Sequence, residues 1–132
     1  RRYVRTPVKF TIERGYVTDV HGGGLDAALL GNYMSGFDRK AFAISHIGWG
    51  LNEKADWHHM AVADPHKEIG VDALACYGNV LFSTGPNSEL GGTNDTPCHI
   101  DMPLGKCSLT LDGETIVKDG DIVVPEMRPV VS

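Results

Sequence analysis

Along residues 7–20, PVKFTIERGYVTDV, apolar side chains recur at alternate positions: Val8, Phe10 and Ile12, then Tyr16 and Val20 with Thr18 between them. Glu13-Arg14-Gly15 separates the two runs, and alternation on both sides of a glycine-containing turn predicts a β-hairpin. Gly22-Gly23-Gly24 interrupts this pattern. Leu25, Ala28, Leu29 and Tyr33 then fall near helical spacing, with Asp26 where a carboxylate complements the dipole of a first helical turn. A helix is expected from Leu25 to Phe37.

Farther along, Lys40 to His46 (KAFAISH) reads as a short buried strand running out into a glycine-rich turn, Gly48-Trp49-Gly50-Leu51-Asn52. The polar stretch 52–68 contains Trp57-His58-His59 and Asp64-Pro65-His66 and suits a loop or a short helix. Tyr77 to Thr84 (YGNVLFST) predicts a strand, and Gly85 to Thr96 a long turn-forming loop, a length that usually carries function. A strand around His99 follows. Residues 108–117 then form a hairpin pattern centred on Asp112-Gly113. Lys118 to Asp121 makes another turn, and Ile122-Val123-Val124 a last strand. The expected fold class is α+β, mostly antiparallel or mixed β-sheet with one clear helix, in a single domain over residues 1–132 without internal repeats.

Composition narrows the function classes. With 132 residues, 42% hydrophobic and 22% charged, the chain is long enough for a packed core. Its net charge of −5 and scattered lysines and arginines disfavour nucleic acid as a partner. No apolar run reaches the roughly 20 residues that span a bilayer, so no membrane partner is expected. Three cysteines, Cys76, Cys98 and Cys107, without close-spaced zinc patterns, fit a reducing cytoplasm better than a disulfide framework. The opening Arg1-Arg2-Tyr3-Val4-Arg5, with no initiator methionine, reads as the later part of a longer polypeptide.

Candidate chemistry concentrates in Pro97-Cys98-His99-Ile100-Asp101-Met102-Pro103. In an extended chain His99 and Asp101 project to one face, and Cys98, Ile100 and Met102 to the other, where Cys98 serves as a small buried hydrophobe. His46 supplies a second imidazole about fifty residues earlier. Two imidazoles and a carboxylate match a mononuclear non-haem Fe(II) site, and the same set also holds zinc. A surface ion pair or a satisfied core hydrogen bond is the alternative for His99 and Asp101. His21, His58, His59 and His66 read as structural or solvated. The chain lacks GxSxG, GxxxxGK[ST] and HExxH patterns, and no histidine follows His99, as the oxoglutarate-dependent oxygenases would require.

The blocks FTIERGYVTDVHGG, SHIGWGLN, YGNVLFSTGPNSELGGTNDTPCHIDMP and CSLTLDGETIVKDG together resemble the C-terminal part of the 2,5-dihydroxypyridine 5,6-dioxygenases. These are ring-cleaving enzymes of bacterial nicotinate degradation, themselves similar to thermophilic-type metallo-aminopeptidases. The resemblance implies the C-terminal domain of a two-domain enzyme, partnered by an upstream domain of the same polypeptide, and a homo-oligomer. It implies Fe(2+) held by His46, His99 and Asp101 together with a glutamate from the earlier part of the polypeptide. Its implied substrates are O2 and a small aromatic N-heterocycle, opened across the 5,6 bond to N-formylmaleamate. Ser83 matches a serine near the substrate and oxygen positions, although a hydroxyl capping the turn at the strand end explains it equally. Trp49 and Asn52 stand close enough in sequence to His46 to shape a pocket.

Two other readings compete. A metallo-aminopeptidase would share the HxD pair and use zinc or cobalt to activate water. His46 stands where an acidic residue is expected in such peptidases, which favours the dioxygenase. A third reading is an inactive C-terminal assembly module whose open sheet edge seeks a partner.

Overall fold

The computed structural model describes residues 3–62, 64 and 70–129. Within them the chain forms two compact units: Tyr3–His46 with Ser83–Ile100, and Ile47–Phe82 with the chain from Asp101 onward.

The first unit opens with the expected hairpin, β1 (Val8–Glu13) antiparallel to β2 (Tyr16–Gly22). Its two-residue turn has Arg14 at φ 52° and Gly15 at φ 78°, the paired positive values of a type I′ turn, whose twist matches that of the strands. The alternation does not run through both strands. Thr11 pairs with Asp19 but Ile12 with Val17, so Thr18 is an extra residue and a bulge turns the pattern over. Val17 is therefore buried, whereas Ile12 is exposed.

Helix α1 (Leu25–Ser35) ends at Gly36, two residues short of the expected Phe37, and its face differs from expectation. Ala27 and Met34 are buried and Gly31 is half-buried, at i, i+7 and i+4. Leu25, Leu29 and Tyr33 are exposed by 65%, 48% and 56%. Small residues let the helix backbone approach β2: even a Cβ added at Gly31 would meet Val20.

Arg39–Phe42 forms a 3₁₀ turn rather than the start of a strand, because the Asp38 carboxylate accepts the Lys40 N–H at 3.0 Å. Strand β3 (Ile44–Trp49) follows and runs straight through Gly48 and Trp49, correcting the expected turn there. His46 is consequently mid-strand. It joins β4 (Val80–Thr84) and β5 (Ile100–Leu104) in a three-stranded sheet of order β3-β4-β5.

The second unit contains two short helices, α2 (His59–Val62) and α3 (Val71–Ala75); the latter has no counterpart in the sequence pattern. His66 lies outside the described residues. A meander of β6 (Leu109–Leu111), β7 (Glu114–Lys118) and β8 (Asp121–Ile122) turns on Asp112-Gly113 and Asp119-Gly120, both again with paired positive φ. Its core is Val80, Val117 and Ile122, against which Trp49 and Met127 pack. The Trp49 indole N–H donates to the Met127 sulfur at 3.3 Å. Among the described residues no helix is long and apolar enough to cross a membrane.

The buried position of Ile122, at 0% exposure, and the exposed one of Leu111, at 39%, set a contrast. Ile122→Ala should cost about 2–5 kcal/mol and Leu111→Ala within about 0.5 kcal/mol in urea unfolding. Equal losses would mean that the meander core does not carry the stability of this unit.

Candidate metal centre

His46 reaches the site from the middle of β3, Ser83 from β4, and His99 from the residue just before β5. The imidazole rings of His46 and His99 stand edge to face, with centroids 5.8 Å apart and planes at 81°. Asp101 follows two residues along β5, on the exposed side that alternation assigns to it and to His99, while Cys98 is fully buried. One donor atom each from His46, His99 and Asp101 lies within 4.8 Å of the others. Borderline imidazole nitrogens and a hard carboxylate in such a group suit a divalent transition metal. Burial pushes the Cys98 thiol above its ordinary range, so it stays protonated and is a poor ligand.

Both ring nitrogens of His46 have serine partners. Ser83, fully buried, places its hydroxyl 3.0 Å from Nε2, so it turns toward the imidazole. Ser45, to which the sequence pattern gave no role, places its hydroxyl 3.1 Å from Nδ1.

A cleft of about 230 Å³ adjoins these rings, lined by Ser45, His46, His99 and residues 86–90. The long loop expected between Gly85 and Thr96 is thus its wall, and it is internally braced. The Asn87 carbonyl accepts the Leu90 and Gly92 N–H groups, its side-chain oxygen accepts the Asn94 N–H, and Asn87 N–H donates to Asn94 O. The Asn94 side-chain amide donates to Gly85 O at 2.7 Å and to Lys40 O at 2.9 Å. At Gly85 the loop passes close against other backbone: its φ is +108°, and a Cβ there would overlap the Cys98 carbonyl.

The other sequence candidates lie elsewhere. Trp49 and Asn52 line a separate groove with Leu74 and Ala75 in the second unit, so they do not wall the His46 cleft. His21 pairs with Asp19 at 2.8 Å, and His58 lies 3.8 Å from Asp56, consistent with structural or solvated roles.

Comparison with known proteins places this arrangement in a family. The family model described as 2,5-dihydroxypyridine 5,6-dioxygenase matches residues 1–124. The chain belongs to the 2,5-dihydroxypyridine 5,6-dioxygenase family. A family member from Pseudomonas putida KT2440, named 2,5-dihydroxypyridine 5,6-dioxygenase, is 46% identical over 127 residues, 96% of this chain. The chain spans 36% of that relative's length. A solved structure of 2,5-dihydroxypyridine dioxygenase from the same organism superposes with a TM-score of 0.90 at 46% identity, covering 97% of this chain and 37% of its own.

Because Gly85 combines a positive φ with contact against Cys98, Gly85→Ala should cost at least about 2 kcal/mol in chemical denaturation. It should also displace Pro86 from the cleft in a crystal structure of the variant. An unchanged midpoint would show that the loop does not depend on this close approach.

Proposed function

We propose that this chain carries the metal centre of a ring-cleaving dioxygenase that opens 2,5-dihydroxypyridine with O2, and that the metal is Fe(2+). The observation that carries the reading is the convergence of His46, His99 and Asp101 within 4.8 Å in a chain of this family. The donor set fits: two imidazoles and one carboxylate are ligand types that would suit non-haem iron, with Asp101 offsetting part of the ion's charge. When bound, iron supplies open coordination positions and the electron transfer needed to activate dioxygen.

The protein's own residues then have separate tasks. His46, His99 and Asp101 hold the ion. The Ser83 hydroxyl, 3.0 Å from His46 Nε2 in the metal-free chain, would release that nitrogen to the ion and then hold or pass a proton for the substrate. Pro86 and Leu90 offer apolar surface in the cleft, while Ser88 offers a hydroxyl to ring substituents. A volume of about 230 Å³ is below the ~300–1,000 Å³ of drug-sized sites and suits a single ring.

Anaerobic titration of the full-length protein with iron(II), followed by 2,5-dihydroxypyridine and then air, tests the reading. Substrate absorbance should fall only when iron and O2 are both present. His99→Ala or Asp101→Ala should abolish iron binding, and stoichiometric iron retained in both variants would sink the assignment. Peptide hydrolysis with zinc or cobalt, and no ring cleavage, would replace it with the aminopeptidase chemistry.

A further inference from the structure

The Ser45 hydroxyl has one proton and two neighbours. Its Oγ lies 2.5 Å from the Pro86 carbonyl oxygen, which only accepts, so the proton is donated there. The same Oγ lies 3.1 Å from His46 Nδ1. With its proton committed, Ser45 meets Nδ1 as an acceptor, and Nδ1 therefore carries the ring N–H. A neutral imidazole has one N–H. Its Nε2 is then left with one lone pair, which the Ser83 hydroxyl meets as a donor at 3.0 Å in the metal-free chain and would release to an ion.

We propose that Ser45 is a positioning residue that locks His46 as the Nδ1–H tautomer, through the relay His46 Nδ1–H to Ser45 Oγ–H to Pro86 C=O, and so presents Nε2 as the metal donor. This rests on the metal-centre reading for its purpose, but the tautomer itself is a property of the metal-free chain. A metal-binding histidine works well only when its second nitrogen has a fixed acceptor, which sets both tautomer and ring orientation. Here the acceptor is a hydroxyl from the adjacent residue. The far end of the relay is held because Pro86 follows Gly85, whose carbonyl accepts the Asn94 amide at 2.7 Å. The relay thus ties ring orientation on β3 to the loop that walls the cleft.

Long-range ¹H–¹⁵N correlations on the ¹⁵N-histidine-labelled full chain, metal-free at a pH of about 8.5, above the ordinary imidazole range, report the tautomer. His46 is assigned by its loss in His46→Gln. Wild type should show Nδ1–H, Ser45→Ala should move toward Nε2–H, and Ser45→Thr should restore the wild-type pattern. Anaerobic iron(II) titration should show affinity reduced about 10–100-fold in Ser45→Ala and recovered in Ser45→Thr. An Nε2–H tautomer in wild type overturns the proposal without reference to any variant. So does Ser45→Ala with an unchanged tautomer and unchanged iron affinity. A tautomer that moves in Ser45→Ala while wild type binds no iron supports the tautomer assignment and overturns the metal-centre reading.

Discussion

The passage of Gly85 against the Cys98 carbonyl is the constraint from which the geometry around His46 and His99 follows. A side chain at Gly85 would overlap that carbonyl, and Gly85 N–H is committed to Ala43 O at 2.9 Å. One backbone position therefore connects the residues after Ser83, the segment leading to His99 and the start of β3. Pro86 leaves this point with its ring-fixed φ, and its carbonyl meets Ser45 at 2.5 Å. Asn94 closes the loop onto Gly85 and Lys40. A cleft wall built from internal hydrogen bonds loses little entropy when a ligand arrives, which is the value of a preformed site.

Part of the chemistry around His46 is set by neighbours that carry no formal charge. Serine hydroxyls meet both ring nitrogens, and a hydroxyl is able to donate or accept as its surroundings dictate. The short contact from Ser45 to the Pro86 carbonyl removes that freedom on one side. On the other side the Ser83 hydroxyl meets Nε2 at 3.0 Å. Two serines with the same functional group thus stand in different surroundings, one held to the Pro86 carbonyl and the other against Nε2.

Legibility in the sequence followed the range of the interactions. The hairpins at Arg14-Gly15 and Asp112-Gly113 were readable because a two-residue turn is a local property. The bulge at Thr18 was not, since register adjusts to pairing across the strands. Helix α1 was legible in extent, but its buried side was not: close approach to β2 favours Ala27 and Gly31 over the leucines that the spacing picked out. Gly48 and Gly50 suggested a turn, yet β3 continues through Gly48, because pairing in a sheet overrides a glycine's weak strand preference. At the site, His99 and Asp101 were readable from alternation and His46 from residue type, with the family resemblance joining them. Ser45 was not readable, since its partner Pro86 is 41 residues away.

The central claim is that His46, His99 and Asp101 bind one metal ion. Anomalous diffraction at the iron edge, from crystals of the protein soaked anaerobically in iron(II), tests it most directly. The account predicts a single strong peak about 2.0–2.3 Å from a nitrogen of each histidine and from an Asp101 oxygen, the ordinary span of such metal–ligand distances. A peak that excludes any one of these residues, or no peak at saturating iron, would contradict it.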